Sequence, residues 1–507
     1  MHGGTSTRLF VLMAALATCA GSAMAQHADD VSDLPSDNPS YNLRGMRDYR
    51  TPDAAGPLTE DRRVEQAGFH AADADLAARV KDLEAALKKI QDKEAADKKK
   101  AASAPSIKPF GKIHWDSATF GQNMASLQEA GDMLNGTEFR RARIGIQGEA
   151  FHVTDYRIEM DFAGEVSFKD VYMTVKHLPW VGNVRAGHFK ECFSLEILNS
   201  DDFTMFMERS LIDAGQVLGH LGDRNPGVMA FDWNQDETIT WQYGVFAFQA
   251  LEKPPIFPKT TIFDDANGAS FDARMTWLPW VYDADDLKER GLLHTGVAYS
   301  YRSIARLSKN APAGAIRYLL GALPESNLAN PVVDTATTNN PTALNDTDHV
   351  NALRPELAFE YGPFLLQSEY MWLFLARSQH HDTTFDGGYI QASYFLTGEH
   401  RTYYRQLGYF RNVTPFENFF RVRGEDGKIV TGVGAWELAY RCSYLNLSNQ
   451  DIYGGRVTDQ TIGLTWYLSP YSRLMFNFVH SEATDRNVKG VFYGRGIANI
   501  FETRVQT

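Results

Sequence analysis

From residue 107 to residue 507 the chain obeys one local rule. Apolar and charged residues alternate in short runs, and Gly, Pro, Asn and Asp separate the runs. In YRIEMDF (156–162), Tyr156, Ile158, Met160 and Phe162 alternate with Arg157, Glu159 and Asp161. A period of two means a β-strand with one apolar and one polar face. FRRARIGIQGE (139–149) sets Ala142, Ile144 and Ile146 against Arg141, Arg143 and Gln147. NVRAG (183–187) sends Val184 and Ala186 one way and Arg185 the other. FDARMTW (271–277), WELAYRCSY (436–444) and RLMFNF (473–478) follow the same scheme. A soluble sandwich also has a wet face, so alternation alone leaves sandwich and membrane barrel open.

Aromatic placement and length separate the two. Aromatics gather at strand ends beside turns, with Trp277 and Trp280 around Pro279, and Trp466 and Tyr467 before Pro470 and Tyr471. Such placement matches the girdles of outer-membrane barrels. About 400 residues at roughly 25 per strand and its connection give on the order of 16 strands. FHVTD (151–155) and LSPYS (468–472) read as short periplasmic turns, and residues 303–350 and 377–388 as long polar external loops. The expected fold is an all-β transmembrane barrel of about 16 antiparallel strands. Lipid would face the apolar side and a wet lumen the charged side, since closure alone pairs every backbone group in that setting.

The N-terminus reads as an export signal over residues 1–25. Arg8 opens it, residues 9–17 are apolar, and Ala23-Met24-Ala25 offers a cleavage site. LATC (16–19) is a rival lipoprotein signal, with Thr18 awkward before Cys19. No later apolar run approaches the ~20 residues of a membrane helix. Residues 26–70 read as a polar, disordered tether. In 71–101, Leu76, Val80, Leu83, Leu87 and Ile90 form an a/d seam, either a short coiled coil or an amphipathic helix on another surface. The barrel domain is expected over 108–507.

Residues 137–215 resemble the phosphate-selective porin O and P family through TEFRRARIGIQGEAF, YRIEMDFAG, FKDVYMTVKHLP, VRAGHFKECFSLE and FTMFMERSL. The C-terminal half agrees in TGEHRTYYRQLGYFRNVTPF (397–416), GAWELAYRCSYLNL (434–447), GGRVTDQTIGLTWYLSPYSRLMFNFVHS (454–481) and ANIFETR (498–504). The resemblance covers most of 108–507 and implies a trimeric outer-membrane porin narrowed by an inward-folded loop, with basic residues along an anion path. Two features depart from the family pattern. The chain ends RVQT, without a terminal aromatic. The candidate inward loop (187–215) carries Glu191, Glu196, Asp201, Asp202, Glu208 and Asp213 against Lys190 and Arg209.

Pore-lining candidates are Arg141, Arg143, Arg157, Glu159, Asp161, Arg185, Lys190 and Arg209, with Asp170 on the same face. Charge at the narrowest point sets ion selectivity, and an Arg fork can hold phosphate or carboxylate. Two readings of these residues compete: an anion ladder, or a mixed-charge wall whose arginines and carboxylates pair to stiffen the barrel. The net charge of −13 argues against nucleic acid as a partner. The expected partners are outer-membrane lipid, small solutes or inorganic anions, and two further copies in a homotrimer. Cell-wall components held by the coiled coil are a further expectation.

No cofactor, metal centre or enzyme activity is expected. His380-His381-Asp382 reads as a solvated loop. The acidic pairs Asp201-Asp202, Asp264-Asp265 and Asp285-Asp286 read as solvated turns. Cys192 and Cys442 read as separate thiols. The rival functions are a plugged structural anchor tethering the envelope and a soluble glycan-binding β protein.

Overall fold

In the computed structural model the chain forms two units, residues 1–89 and 90–507. The structure describes residues 105–213, 223–249, 267–282, 290–304, 318–336, 343–423, 429–488 and 490–507. Within 71–101 only residues 81, 87–89 and 93 are described, and they are helical. The expected signal peptide (1–25), the tether (26–70) and the rest of the coiled coil lie outside the described residues, as do Asp264-Asp265 and Asp285-Asp286.

Among the described residues, sixteen antiparallel strands close a barrel. The first five are β1 (Lys108–Gln122), β2 (Gly136–Ala150), β3 (Thr154–Asp161), β4 (Ser167–Leu178) and β5 (Gly182–Lys190). Then come β6 (Arg224–Trp233), β7 (Ile239–Gln249), β8 (Asn267–Tyr282) and β9 (Gly291–Ser303). After a long connection follow β10 (Thr347–Tyr361), β11 (Phe364–Arg377) and β12 (Thr383–Phe395). The last four are β13 (Ala435–Asn449), β14 (Ile452–Ser469), β15 (Ser472–Val488) and β16 (Gly496–Gln506). Each strand pairs with its neighbours in sequence, and β16 closes on β1 with Trp115 opposite Val505. No edge remains to seek another chain.

The alternation reads out directly. In β2, Arg141 and Arg143 are buried on the inner face, while Ile144 is 66% exposed on the outer one. In β8, Asp272, Arg274 and Thr276 face in, and Phe271, Met275 and Trp277 face out. Inside and outside are therefore inverted relative to a soluble protein. The charged face is buried within the molecule, and the apolar face is the exterior. One girdle residue departs from expectation. Tyr467 turns inward, where its hydroxyl donates to Glu437 at 2.7 Å. It shares parity with Thr465 on the inner face, whereas Trp466 stacks on Trp436 outside at 4.8 Å.

The connections alternate between the two ends of the barrel. At the end holding the start of β1, residues 151–153, 179–181, 362–363 and 470–471 are short turns. At the opposite end a long connection, 304–346, joins β9 to β10; it is shorter than the expected 303–350 because Thr347 opens β10, and its described part carries a small strand pair, Gly321–Ala322 with Val333–Asp334. The expected loop over 377–388 shrinks to 378–382, because Thr383–Phe395 is a strand paired to β11 with Leu375 opposite Thr383. The sequence also hid a long connection at the short-turn end, residues 396–434.

Three connections fold into the barrel. The β5–β6 loop carries a short helix, α1 (Leu195–Leu198), capped by Ser194. The Leu195 and Glu196 amides donate to Glu369 on the wall, at 2.9 and 3.0 Å. That satisfies donors which a helix start leaves unpaired. From the 304–346 loop, Glu325 accepts from Arg441 at 3.0 Å. From the 396–434 connection, Arg401 reaches Glu437 at 2.7 Å, and Arg274 donates to the Gly408 carbonyl at 2.6 Å. Gly408 has φ 66°, and a Cβ there would lie 2.7 Å from the Thr276 hydroxyl, so the turn can approach the wall only as glycine. The two inward segments meet where the Phe410 amide donates to the Asn199 side chain at 3.0 Å. Leu195, Met205 and Phe206 of the loop share an apolar cluster with Tyr403 and Phe410 of the turn.

Candidate functional site

The narrow part of the lumen is built by the β5–β6 loop against the wall. Its acids behave as spokes. Asp201 pairs with Arg141, with Arg143 at 3.2 Å and with Lys112 at 3.2 Å. Asp202 pairs with Lys112 at 2.9 Å and lies 3.0 Å from His114. Glu208 takes Arg140 at 2.8 Å and Arg504 at 2.7 Å. Glu196 takes Arg441 at 3.2 Å, Asp213 takes Arg354 at 2.8 Å, and Glu191 takes Arg302. All six acids of the loop are therefore bound to wall cations. The expectation of solvated turns for Asp201-Asp202 is corrected, since Asp201 is only 5% exposed. Burial alone would raise the Asp201 carboxyl. The cations of Arg141, Arg143, Lys112 and Arg209 instead hold it well below the usual carboxylate range. Glu208 is held low in the same way, against burial, by Arg140, Arg504 and Arg141.

Local structure explains how two consecutive arginines serve one carboxylate. The β1–β2 register slips by one residue, with His114 opposite Arg141 and Trp115 opposite Phe139. Arg140 is left unopposed in this bulge, and both Arg140 and Arg141 reach Glu208.

The loop's two bases have different partners. Lys190 donates to the Asn199 carbonyl at 2.9 Å and to the Ile197 carbonyl. Arg209 donates to the Asn199 carbonyl at 3.2 Å and to those of Glu196 and Ile197 at 3.4 Å. Backbone carbonyls therefore hold both side chains in place. Arg185 donates to the Thr174 hydroxyl at 3.0 Å and lies over the Tyr172 ring at 4.2 Å. Among the described residues, Lys169, Arg185, Lys190 and Arg209 form no ion pair with a carboxylate.

The eight candidates thus divide. Arg143 binds Asp161 at 2.7 Å and Glu159 at 3.3 Å. Arg157 binds Glu159 at 2.9 Å and lies 3.5 Å from Asp170, which is also held by Arg224 at 2.7 Å. Arg141, Arg143, Arg157, Glu159 and Asp161 therefore form a paired wall, while Arg185, Lys190 and Arg209 make no ion pair among the described residues. Lys112 and Arg224 escaped the sequence reading. Lys112 shares the parity of His114 and Asp116, so the period of two would have found it. Arg401 and Arg411 lie in an irregular turn, where no local period marks an inward residue.

A closed barrel with an apolar exterior, a charged interior and an inward-folded loop is a porin, and its place is the outer membrane. The model of the family described as phosphate-selective porin O and P matches residues 108–506, and the chain belongs to that family. It is 26% identical to Porin O of Pseudomonas aeruginosa over 408 residues, covering 74% of this chain and 83% of that one. An uncharacterized protein of Caulobacter vibrioides is 27% identical over 349 residues, covering 68% of this chain. This chain spans 62% of that relative's length. Among solved structures, an anion-selective porin from Comamonas acidovorans superimposes with TM-score 0.43 at 14% identity, covering 80% of this chain and all of that one. OmpT of Vibrio cholerae, in trimer form, gives TM-score 0.44 at 11% identity, covering 80% of this chain and all of that one. Family and fold indicate a channel rather than an enzyme.

Proposed function

We propose that this porin passes small hydrophilic solutes by diffusion and favours anions, inorganic phosphate among them. One observation carries the reading. The six acids of the inward loop are all bound to wall cations, so the loop's acidity does not act on a passing ion. Lys169, Arg185, Lys190 and Arg209 remain with uncancelled charge beside the path, and charge at a constriction sets ion preference. Reversal potentials in planar bilayers under a KCl gradient test this. Chloride preference with block by added phosphate is the expected result. Cation preference would overturn the anion part.

The assembly we propose is a homotrimer. At the usual tilt the 8-residue β3 rises about 20 Å, short of the roughly 25 Å apolar band of such barrels. Its outer face and those of its neighbours carry Ile158, Met173, Val228 and Val245, all exposed. A neighbouring copy would cover this low wall better than lipid can. Cross-linking of the folded protein in native membranes should give trimers. A monomer-only pattern would remove the proposal.

A further inference from the structure

Arg185 lies against three aromatic rings and makes no ion pair among the described residues. Its guanidinium lies 4.2 Å from the Tyr172 ring centre, 5.3 Å from that of Phe231 and 5.6 Å from that of Phe189. Only its Nε is engaged, on Thr174. The inward turn brings a second group of the same kind. Arg411 lies over Tyr404 at 5.0 Å, and Tyr404 meets Tyr409 edge-on at 5.8 Å. Turn and wall meet here, since Leu407 packs against the same apolar cluster of Phe189 and Phe231 as Tyr172 does. Burial pushes the Tyr409 hydroxyl up to about 12, against the pull of the Arg185 and Arg411 cations, with Tyr404 and Tyr172 also acting on it. Among the described residues, the hydroxyls of Tyr172 and Tyr409 have no hydrogen-bond partner. Carboxylates near the turn are already engaged, Asp155 by Lys176 at 3.0 Å and Glu237 by Gln406 at 2.7 Å.

We propose that Arg185 and Arg411, with Tyr172, Tyr404 and Tyr409, form a binding station for an aromatic carboxylate in the periplasmic half of the channel. The chemistry discriminates between anions. A guanidinium edge pairs with a planar carboxylate through two parallel hydrogen bonds. The ring faces repel a bare anion but stack well against another ring. Inorganic phosphate would gain the charge and lose the ring surface. A benzoate-like solute gains both, and the phenol hydroxyls add donors at its rim. The proposal rests on the porin reading and narrows its solute class.

Benzoate is the probe, with acetate and phosphate as controls, on the full-length exported protein in planar bilayers. Benzoate should block chloride current at concentrations where acetate leaves it unchanged. Arg185→Gln and Tyr409→Leu should each raise the half-blocking concentration by about tenfold, the change expected for ~1.4 kcal/mol. Arg185→Lys keeps the charge but loses the fork, and should fall between wild type and Arg185→Gln. Calorimetric binding of benzoate to the folded protein in detergent should follow the same order without needing a current. Equal block by acetate and benzoate, or unchanged benzoate affinity in folded Arg185→Gln, would overturn the station. Should Arg185→Gln fail to fold, Tyr409→Leu decides alone. The two proposals fail separately. Chloride preference without benzoate block sinks only the station, whereas cation preference with benzoate binding intact sinks only the general anion preference.

Discussion

The two sides of the barrel wall differ in height and in what becomes of their charges. On β10 to β15 the strands run to 18 residues, and Arg354 and Arg441 on their inner face are ion-paired, whereas Arg473 is held by Gln506 and the Thr204 and Asp201 carbonyls. Arg354 holds Asp213 and Glu369, Arg441 holds Glu196 and Glu325, and Glu437 on β13 takes Arg401 from the 396–434 connection. On β3 to β6 the strands run from 8 to 12 residues. There Lys169, Arg185 and Lys190 keep their charge. The tall side holds two of the loop's acids, Asp213 and Glu196, through ion pairs, while β1, β2, β9 and β16 hold the other four. On the low side Lys190 is held by backbone carbonyls and Arg185 lies against aromatic rings. A buried charge is costly unless paired, so pairing follows burial.

The largest expected effect lies on the tall side. Arg354→Met should leave Asp213 and Glu369 buried without their cation and cost about 3–5 kcal/mol, as removal of one partner of a buried pair does. Denaturant unfolding of the folded barrel would read that loss. A loss no larger than that of a surface control would erase the scaffold side of the contrast. Next comes selectivity. Asp201→Asn removes one negative charge from the cluster of Arg141, Arg143 and Lys112, which keep their other carboxylate partners, and should move the permeability ratio toward anions by roughly fivefold, taking about 1 kcal/mol per uncancelled charge near water. An unmoved reversal potential would mean these cations do not face the path. On the low side, Arg209→Gln should shift the reversal potential the other way by a smaller amount that fades at high salt, with little change in thermal stability. A large stability loss there would make Arg209 structural.

The smallest effect concerns the outer mouth. Glu129 ends a short helix over Met124–Ala130 and packs against Gly496. Burial raises its carboxyl from 4.5 to about 7, against the pull of Arg486. A raised acid pKa means the folded state binds more protons, so stability declines as pH rises from 4.5 through about 7. Protection factors at 124–130, corrected for the intrinsic base-catalysed rate, should fall slightly between pH 5 and pH 8, and Glu129→Gln should flatten that trend.

The fold was legible because it rests on a local signal. Period two places Arg141, Arg143, Glu159 and Asp161 on one face and Ile144 and Ile158 on the other, without reference to distant sequence. Strand number followed from length. The site was half legible. Arg185, Lys190 and Arg209 were singled out with the rest, but nothing in their spacing separates them from Arg141 or Arg143. The inward turn over 396–434 was missed, because its polar, Gly- and Pro-containing composition is that of any loop.

By itself the sequence determined the barrel, the inner and outer faces, and the acidic loop, because each is written in short-range patterning. Tertiary structure alone decided which charges survive. Arg504 meets Asp116 across 388 residues, and Arg441 meets Glu196 across 245. Cancellation depends on which side chains approach within a few ångströms, and the inward folding of the loop and the turn sets those distances.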